Sequence, residues 1–270
     1  MVHRVSRRRF AHSTGLAALG LTTFGGTSRG RAQAPNNSDS FPDWLPGQDP
    51  AMVKEMVTVA HFDLARVRAL IEQHPALANA AIDWGFGDWE DALGGAAHMG
   101  RREIAALLLS QGARISIFAA AMLGQLDVVK AFVTARPGIQ RTLGPHGITL
   151  MAHAKAGGPD AAAVAQYLEA VGDADRRPPT APLETADRDA IVGRYVFGSG
   201  ARDAFEIDVD KDQLGIARLG ATRRFLNHTG TLVFFPSGVP SVKIAFARAA
   251  GKATQLTIAD PEVVLTARRA

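Results

Sequence analysis

The chain has 270 residues, of which 47% are apolar, and a formal net charge of +4. That composition can build two ordinary cores of about 100 residues each and excludes a chain that is disordered throughout. The positive charge is confined to the start, because residues 1–34 contain six arginines and no acidic residue, which leaves 24 basic and 26 acidic residues and a net charge of −2. A near-neutral chain without a basic stripe does not fit a nucleic-acid-binding protein, and we predict no nucleic-acid partner.

Residues 1–34 have the features of an export signal. An apolar run from Gly15 to Phe24 follows the first arginines, and the small residues Ala32 and Ala34 fit a cleavage site. The apolar run is about half as long as the roughly 20 residues that a membrane span requires, and glycines and threonines interrupt it. We therefore predict a signal peptide and no stable insertion into the membrane.

The residues Ser6, Arg7, Arg8, Arg9 and Phe10 resemble a twin-arginine (Tat) signal. In that family the translocase reads the arginine pair, here Arg7 and Arg8, together with Phe10, and folded cargo crosses the membrane. The resemblance implies a bacterial protein in the periplasm or outside the cell, with the Tat translocase as its partner during export. The absence of cysteine agrees, because such a chain forms no disulfide in an oxidising compartment.

The next segments are predicted to be a tether and a helical region. Residues 35–50 are rich in Asn, Ser, Asp, Gly and Pro, which predicts a disordered tether. Over residues 51–171 apolar side chains recur at helical spacing and predict about four helix pairs, the first ending at His74 because Pro75 follows. In each later pair, small residues and a glycine precede larger apolar residues. The three sets are Leu93, Ala96, Ala97, Gly100, Ile104, Leu107 and Leu108; Ala120, Ala121, Gly124, Val128, Val129 and Phe132; and Met151, Ala154, Gly158, Val164 and Leu168.

This order of small residues, glycine and larger apolar residues resembles the ankyrin-repeat pattern TPLHxAAxxG. Gly124 and Gly158 are 34 residues apart, close to the period of about 33 residues in that family. The stretch from Asp83 to Arg102 also resembles a bacterial subgroup of ankyrin-repeat proteins. The resemblance implies an α-solenoid with a concave face and loop tips that bind a protein partner.

Residues 172–186 are rich in proline and mixed in charge, which predicts a linker. Beyond it the apolar period becomes two, as where Phe205, Ile207 and Val209 alternate with acidic residues. Eight short strands over residues 187–270 predict an antiparallel β-domain, either a barrel or a sandwich. Gly193-Arg194-Tyr195, together with the closing run from Leu265 to Arg269, resembles the small lipocalin-like β-domains appended to some bacterial hydrolases. The predicted fold class is therefore α + β in separate domains, with an ankyrin-like α-solenoid followed by a small antiparallel β-barrel or sandwich.

The sequence contains no GxSxG, SxxK, HExxH, GxGxxG or P-loop motif, and it has no cysteine for a thiol nucleophile. Histidines in the repeats, such as His98, His146 and His153, could in principle pair to bind zinc. A zinc site needs three or four ligands, however, and none of the histidines has HxxH or HxxxH spacing. We predict capping and packing roles for them, no metal site and no cofactor.

Four carboxylates lie close together in the sequence at Asp83, Asp88, Glu90 and Asp91. They could serve as a general acid and base if burial raised one pKa, which makes a hydrolase the least favoured of three hypotheses. The same loop carries large aromatic residues next to glycines, and tryptophans are favoured at binding interfaces. The residues predicted to contact a protein partner are Trp84, Phe86, Asp88, Trp89 and Glu90.

The sequence favours an exported, non-enzymatic protein that recognises a protein partner through the ankyrin-like surface. The alternative is a carrier of a small apolar ligand, because an eight-stranded barrel can enclose one small molecule. The two hypotheses differ in whether interior side chains pack against each other or line a void. The side chains in question are Val192, Phe205, Ile207, Ile244 and Phe246.

Overall fold

The structure, a computed structural model, describes residues 42–261 and 263–270. The predicted signal peptide with Arg7, Arg8 and Phe10, and most of the predicted tether, lie outside these residues and stay predictions. The chain from Asp43 to Ala270 forms one unit in which a helical region precedes a β-barrel. Within the described ranges, no helix combines the length and the apolar character needed to cross a bilayer.

The helical region is built from consecutive pairs of short helices. Side chains of Asp49, Asp63, Asp91, Ser116 and Thr149 each accept a hydrogen bond from a backbone N–H in the first turn of a helix, which satisfies donors that the helix leaves unpaired. The helices are α1 (Pro50–Val59), α2 (Leu64–Gln73), α3 (Ala92–His98), α4 (Arg102–Ser110), α5 (Ile117–Met122), α6 (Leu126–Ala135), α7 (Leu150–Ala156) and α8 (Ala162–Val171).

Small residues let the first helices of these pairs approach one another closely. Ala96, Ala97, Ala120 and Ala121 are fully buried. Gly100 has a φ of +66° after α3, and a Cβ atom there would lie 2.3 Å from the backbone oxygen of Ala156 at the end of α7. Only glycine fits both that left-handed conformation and that contact.

The prediction of an ankyrin-like α-solenoid is wrong. In a solenoid each repeat contacts only its sequence neighbours, whereas α3 packs against α7 as well as against α5. In addition, Asp88 forms a buried ion pair with Arg224 of the barrel. The helix pairs are present, but they do not stack in a single row, because α3 contacts both α5 and α7.

A short hairpin precedes α3. Strand β1 (Ala81–Asp83) pairs antiparallel with β2 (Trp89–Asp91), with Asp83 opposite Trp89. The connecting loop is tightened by Asp83, whose Oδ1 accepts hydrogen bonds from the N–H groups of Gly85 and Gly87. Because Asp91 ends β2 and also caps α3, the hairpin fixes the direction in which α3 begins.

The predicted β-domain is a closed barrel, which decides between the two architectures that the strand pattern allowed. Its closure depends on antiparallel pairing of the last strand with the first, where Arg268 lies opposite Val196. Helix α9 (Thr185–Ile191) precedes the barrel. The strands are β3 (Gly193–Val196), β4 (Ala204–Asp210), β5 (Gln213–Arg218), β6 (Arg224–Gly230), β7 (Val233–Pro236), β8 (Lys243–Ala249), β9 (Lys252–Asp260) and β10 (Val263–Arg269).

The inward-facing side chains of the barrel form one apolar cluster. Phe205, Ile207, Ile244 and Phe246 are all buried in it, and Val192 packs against it. These are the five side chains that were expected either to pack together or to line a void. Their common burial favours a filled barrel.

The predicted linker at 172–186 connects α8 to α9 and runs beside β6. The N–H of Ala181 donates to the backbone oxygen of His228 at 2.8 Å, and Nδ1 of His228 lies 2.8 Å from the backbone oxygen of Pro182. These contacts fasten the segment to the barrel wall.

We predict that the hydroxyl of Tyr195 stabilises the end of α9. Tyr195 is fully buried and its hydroxyl donates to the backbone oxygen of Ile191 at 2.7 Å. Replacing Tyr195 with Phe leaves that buried oxygen without its donor and should lower the free energy of unfolding by about 1–3 kcal/mol. Urea unfolding followed by circular dichroism measures the change. Tyr167→Phe, at a half-buried tyrosine, is the matched control, and equal effects of the two variants would contradict the assignment.

Candidate metal centre

Three histidines and a glutamate from four separate segments meet beside α3. His61 follows α1, Glu90 lies in β2, His98 ends α3, and His146 lies in a 3-10 turn ahead of α7. One nitrogen or carboxylate oxygen from each of the four lies within 4.8 Å of the others. The cluster is therefore a candidate metal centre.

His61 is held so that one ring nitrogen faces the cluster. Its Nδ1 lies 2.9 Å from the backbone oxygen of Val57, to which it can donate, and its Nε2 lies 3.5 Å from Oε2 of Glu90. A Cβ atom at Gly95 would lie 2.8 Å from Cε1 of His61, so this position in α3 leaves room for the imidazole. With Nδ1 placed to donate to Val57, Nε2 is the ring nitrogen that faces Glu90, and it can bind a metal ion once it has lost its proton.

His146 is oriented by Asp88. The backbone N–H of His146 donates to Oδ1 of Asp88 at 2.9 Å, and Nδ1 lies 2.8 Å from Oδ2. The residue has a φ of +60°, and its Nε2 lies 3.3 Å from Oε2 of Glu90. One ring nitrogen therefore contacts a carboxylate outside the centre while the other faces inward.

Glu90 lies in the middle of the cluster with a fully buried side chain. Its Oε2 accepts a hydrogen bond from Nε1 of Trp84 at 2.6 Å. Its Oε1 lies 3.2 Å from Nδ1 of His98, but among the described residues neither of these two atoms has a hydrogen bond. Oε1 of Glu90 and Nδ1 of His98 are thus buried and in contact, but no aligned hydrogen bond joins them.

The distances and the donor types suit a tetrahedral transition-metal ion. Zinc binds imidazole nitrogen and carboxylate oxygen at about 2.0–2.2 Å, and a tetrahedron with such bonds has ligand-to-ligand edges of about 3.3–3.5 Å. Oε2 of Glu90 lies 3.3 Å from Nε2 of His146 and 3.5 Å from Nε2 of His61, its Oε1 lies 3.2 Å from Nδ1 of His98, and single ligand atoms of the four residues lie within 4.8 Å of one another. Imidazole also suits iron, copper and nickel, while three nitrogen donors do not suit calcium or magnesium.

Carboxylates and basic side chains shift one another's pKa values in and beside the centre. Burial disfavours the charged forms of Glu90 and Asp88, but interactions with the imidazoles of His146, His61 and His98 outweigh it at Glu90 and interactions with His146 outweigh it at Asp88, so both carboxyl pKa values lie below their ordinary range. Burial also opposes the charge of His146, but the bonds to Asp88 and Glu90 prevail and raise its pKa to about 9. At neutral pH, without metal, two carboxylates therefore face the imidazolium of His146 and the guanidinium of Arg224. A metal ion bound through Nε2 of His146 would displace the proton from that nitrogen.

His153 lies behind His98. It is fully buried, its Nδ1 lies 2.8 Å from the backbone oxygen of Thr149, and its ring centroid is 6.3 Å from that of His98. Burial lowers its pKa to about 4, so this imidazole is neutral at physiological pH. It packs against Phe118 and takes the structural role expected for histidines in this region.

Two clefts flank the loop that carries His146. One of ≈ 320 Å³ is lined by residues that include Asp88, Trp89 and Phe118. The other, of ≈ 350 Å³, is lined by residues that include His146 and Asn227. His146 retains 26% of its side-chain exposure, so the edge of the centre is open to solvent on that side.

The five residues predicted to contact a partner have different environments. Asp88 and Glu90 are buried with 3% and 1% exposure, Trp84 is half-buried with its indole on Glu90, and Phe86 packs against the barrel core. Trp89 alone among the five is largely exposed, at 65%. The loop as a whole is therefore built into the fold, and Trp89 is the member presented to solvent.

The four carboxylates considered for a hydrolase are not gathered at one point. Asp83 tightens the hairpin loop and Asp91 caps α3, while Asp88 and Glu90 contact histidines. Burial raises the pKa of Asp91, and its Oδ1 accepts the hydrogen bond from the N–H of Gly94 that caps α3. Sequence reasoning missed the centre because it considered histidine pairs alone. His61, 29 residues before Glu90 in the sequence, carries no local signal that would have joined the two.

Comparison of the chain with protein-family models, with curated proteins and with solved structures gave no match.

We predict that the pairing of His146 with Asp88 makes the stability of the metal-free protein depend on pH. The imidazole of His146 should titrate at about 9 instead of the ordinary 6.5, as measured by NMR of the ring carbons in the presence of a chelator. Because the folded pKa is raised, the stabilisation is complete below pH 6.5 and is lost as the pH rises through about 9. Asp88→Asn should lower the pKa, whereas Asp208→Asn, in an exposed pair with Arg223, should not. A titration near 6.5 in the unmodified chain would contradict the pairing.

Proposed function

We propose that the protein binds one divalent transition-metal ion, with zinc the best fit, through His61, Glu90, His98 and His146. The observation that carries this proposal is the contact between Oε1 of Glu90 and Nδ1 of His98. The two atoms are 3.2 Å apart and buried, and neither has a hydrogen bond within the described chain. An unsatisfied buried polar atom costs about 1–3 kcal/mol, and a cation between the two atoms satisfies both.

The surroundings of the other ligands support the same conclusion. Histidines that bind metals usually donate their second ring N–H to a backbone oxygen or a carboxylate, which fixes the ring and its tautomer. His61 has such a partner in the oxygen of Val57, and His146 has one in Asp88. A plain hydrogen-bond network would explain the position of His146, but it leaves Oε1 of Glu90 and Nδ1 of His98 in contact without an aligned hydrogen bond.

Four protein ligands favour a structural role for the ion. Structural zinc sites are filled by four side chains, whereas catalytic sites keep one position for water. The four ligands come from the turn after α1, from β2, from α3 and from the loop before α7. One ion would therefore tie together segments that are distant in sequence, and its binding energy would add to the stability of the fold.

Titration of the chelator-treated protein with zinc tests the proposal. Competition with a chromogenic chelator should show one ion per chain, and binding should raise the melting temperature. Glu90→Gln keeps the size of the side chain but removes its charge, and should weaken binding by more than the 10–100-fold typical of losing an outer partner of a ligand. His74→Asn, at a histidine outside the cluster, is the control. Absence of stoichiometric binding, or equal affinity in Glu90→Gln, would reject the metal centre.

A second candidate function is recognition of a protein partner through Trp89. The supporting observation is the 65% exposure of this large aromatic side chain beside the ≈ 320 Å³ cleft. Exposed tryptophans are uncommon and are enriched among residues that dominate binding energy. The carrier hypothesis has the eight-stranded barrel that it requires, but the interior side chains named for it pack against one another.

The two tryptophans of the hairpin should respond differently to replacement by alanine. Trp84 is half-buried and donates to Glu90, so Trp84→Ala should lower the free energy of unfolding by about 3–5 kcal/mol. Trp89→Ala should change stability by no more than about 0.5 kcal/mol while reducing capture of a partner from periplasmic extract. Thermal melts and quantitative capture distinguish the two effects. An identical set of captured proteins with Trp89→Ala would count against recognition at this residue.

A further inference from the structure

We propose that the barrel positions the metal ligand His146 through Arg224 and Asp88, so that the centre is complete only when the barrel is docked. This inference rests on the proposed metal centre and deepens it. Arg224 begins β6, whereas all four ligands belong to the helical region. The barrel would then set the affinity of a site to which it contributes no ligand.

The buried carboxylate of Asp88 contacts both His146 and Arg224. It is 3% exposed, its Oδ1 accepts the backbone N–H of His146 at 2.9 Å, and its Oδ2 lies 2.8 Å from Nδ1 of that residue. The same Oδ2 accepts a hydrogen bond from Nη2 of Arg224. One carboxylate oxygen is therefore shared between the ligand imidazole and the barrel arginine.

The barrel holds the side chain of Arg224 in place. Arg224 is 7% exposed, and its Nη2 also donates to the backbone oxygen of Ser237 at 2.5 Å. A Cβ atom at Gly238 would lie 2.5 Å from Oδ1 of Asp88, so the segment after β7 closes over the carboxylate. The arginine and this segment hold Asp88 from the barrel side and leave it one orientation.

Residues that hydrogen-bond to a metal ligand affect how tightly the metal is bound. A carboxylate that accepts the second N–H of a metal-binding histidine orients the ring and increases its basicity, and removing it typically weakens metal binding by 10–100-fold. A guanidinium stays charged at all physiological pH values. Arg224 therefore acts on the metal through Asp88 and is a positioning residue.

A simple clamp is the competing explanation. In that case the pair of Asp88 and Arg224 would hold the barrel against the helical region without affecting the metal. The shared Oδ2 distinguishes the two, because loss of Arg224 frees the acceptor of His146 to turn away. Coupling between two sites is also reciprocal, so metal binding should stabilise the docked barrel.

The experiment compares zinc affinity, measured by chelator competition, in the unmodified protein and three arginine variants. Arg224→Met should bind zinc about 10–100-fold more weakly, and Arg224→Lys, which restores the charge, should recover most of the loss. Arg223→Met is the matched control, because Arg223 is adjacent and pairs with the exposed Asp208, and its affinity should stay within about twofold, the scatter expected for a surface change. Circular dichroism establishes that each variant is folded.

A further readout separates positioning from a structural clamp. Zinc should slow amide hydrogen exchange across β6 in the unmodified protein but not in Arg224→Met. If Arg224→Met does not fold, Asp88→Asn takes its place, with the same expected loss of affinity.

The outcomes distinguish this inference from the metal proposal on which it depends. An unmodified protein that binds no zinc overturns both. Zinc binding that is intact in the unmodified protein and within twofold in Arg224→Met, or in Asp88→Asn where that variant replaces it, overturns the positioning role alone. Equal losses in Arg223→Met and Arg224→Met would also overturn it, because the effect would then belong to any charge on this part of the barrel.

Discussion

The buried carboxylate of Glu90 is the constraint on which the surrounding structure depends. Its side chain has no exposure to water, and an isolated charge in such a place would be strongly unfavourable. The indole of Trp84 donates to it, and the imidazoles of His61, His98 and His146 surround it. The hairpin, the turn after α1, the end of α3 and the loop before α7 must therefore all converge on this carboxylate.

That convergence explains why the helix pairs do not form an open repeat array. A solenoid exposes its inner face along its whole length, and a carboxylate there would be solvated. Here α3 also contacts α7, and the barrel reaches the same place because Arg224 pairs with Asp88. The polar cluster and its charged outer pair thus join the two halves of the chain at one point, and the same point is where a metal ion fits.

Local patterns explain which elements were predictable. Asp91, Ser116 and Thr149 cap helices and the left-handed Gly100 follows one, and these signals depend only on neighbouring residues. The alternation in β4 likewise reflects the pleat of a strand. The ankyrin-like interpretation failed because the spacing of alanines and leucines records which face of a helix is buried, but not which helix covers that face.

The sequence by itself determined the helix pairs and the eight strands of the β-domain, because each follows from a short periodicity or a cap, whereas the aromatic, acidic loop was not predicted to be a hairpin. Only the tertiary structure decided that the sheet closes, since pairing of Arg268 with Val196 joins the two ends of the barrel. It alone also brought the four candidate ligands together and placed Arg224 against Asp88, 136 residues away in the chain. Contacts of such separation depend on how whole elements pack, and no spacing of residue types along the chain encodes them.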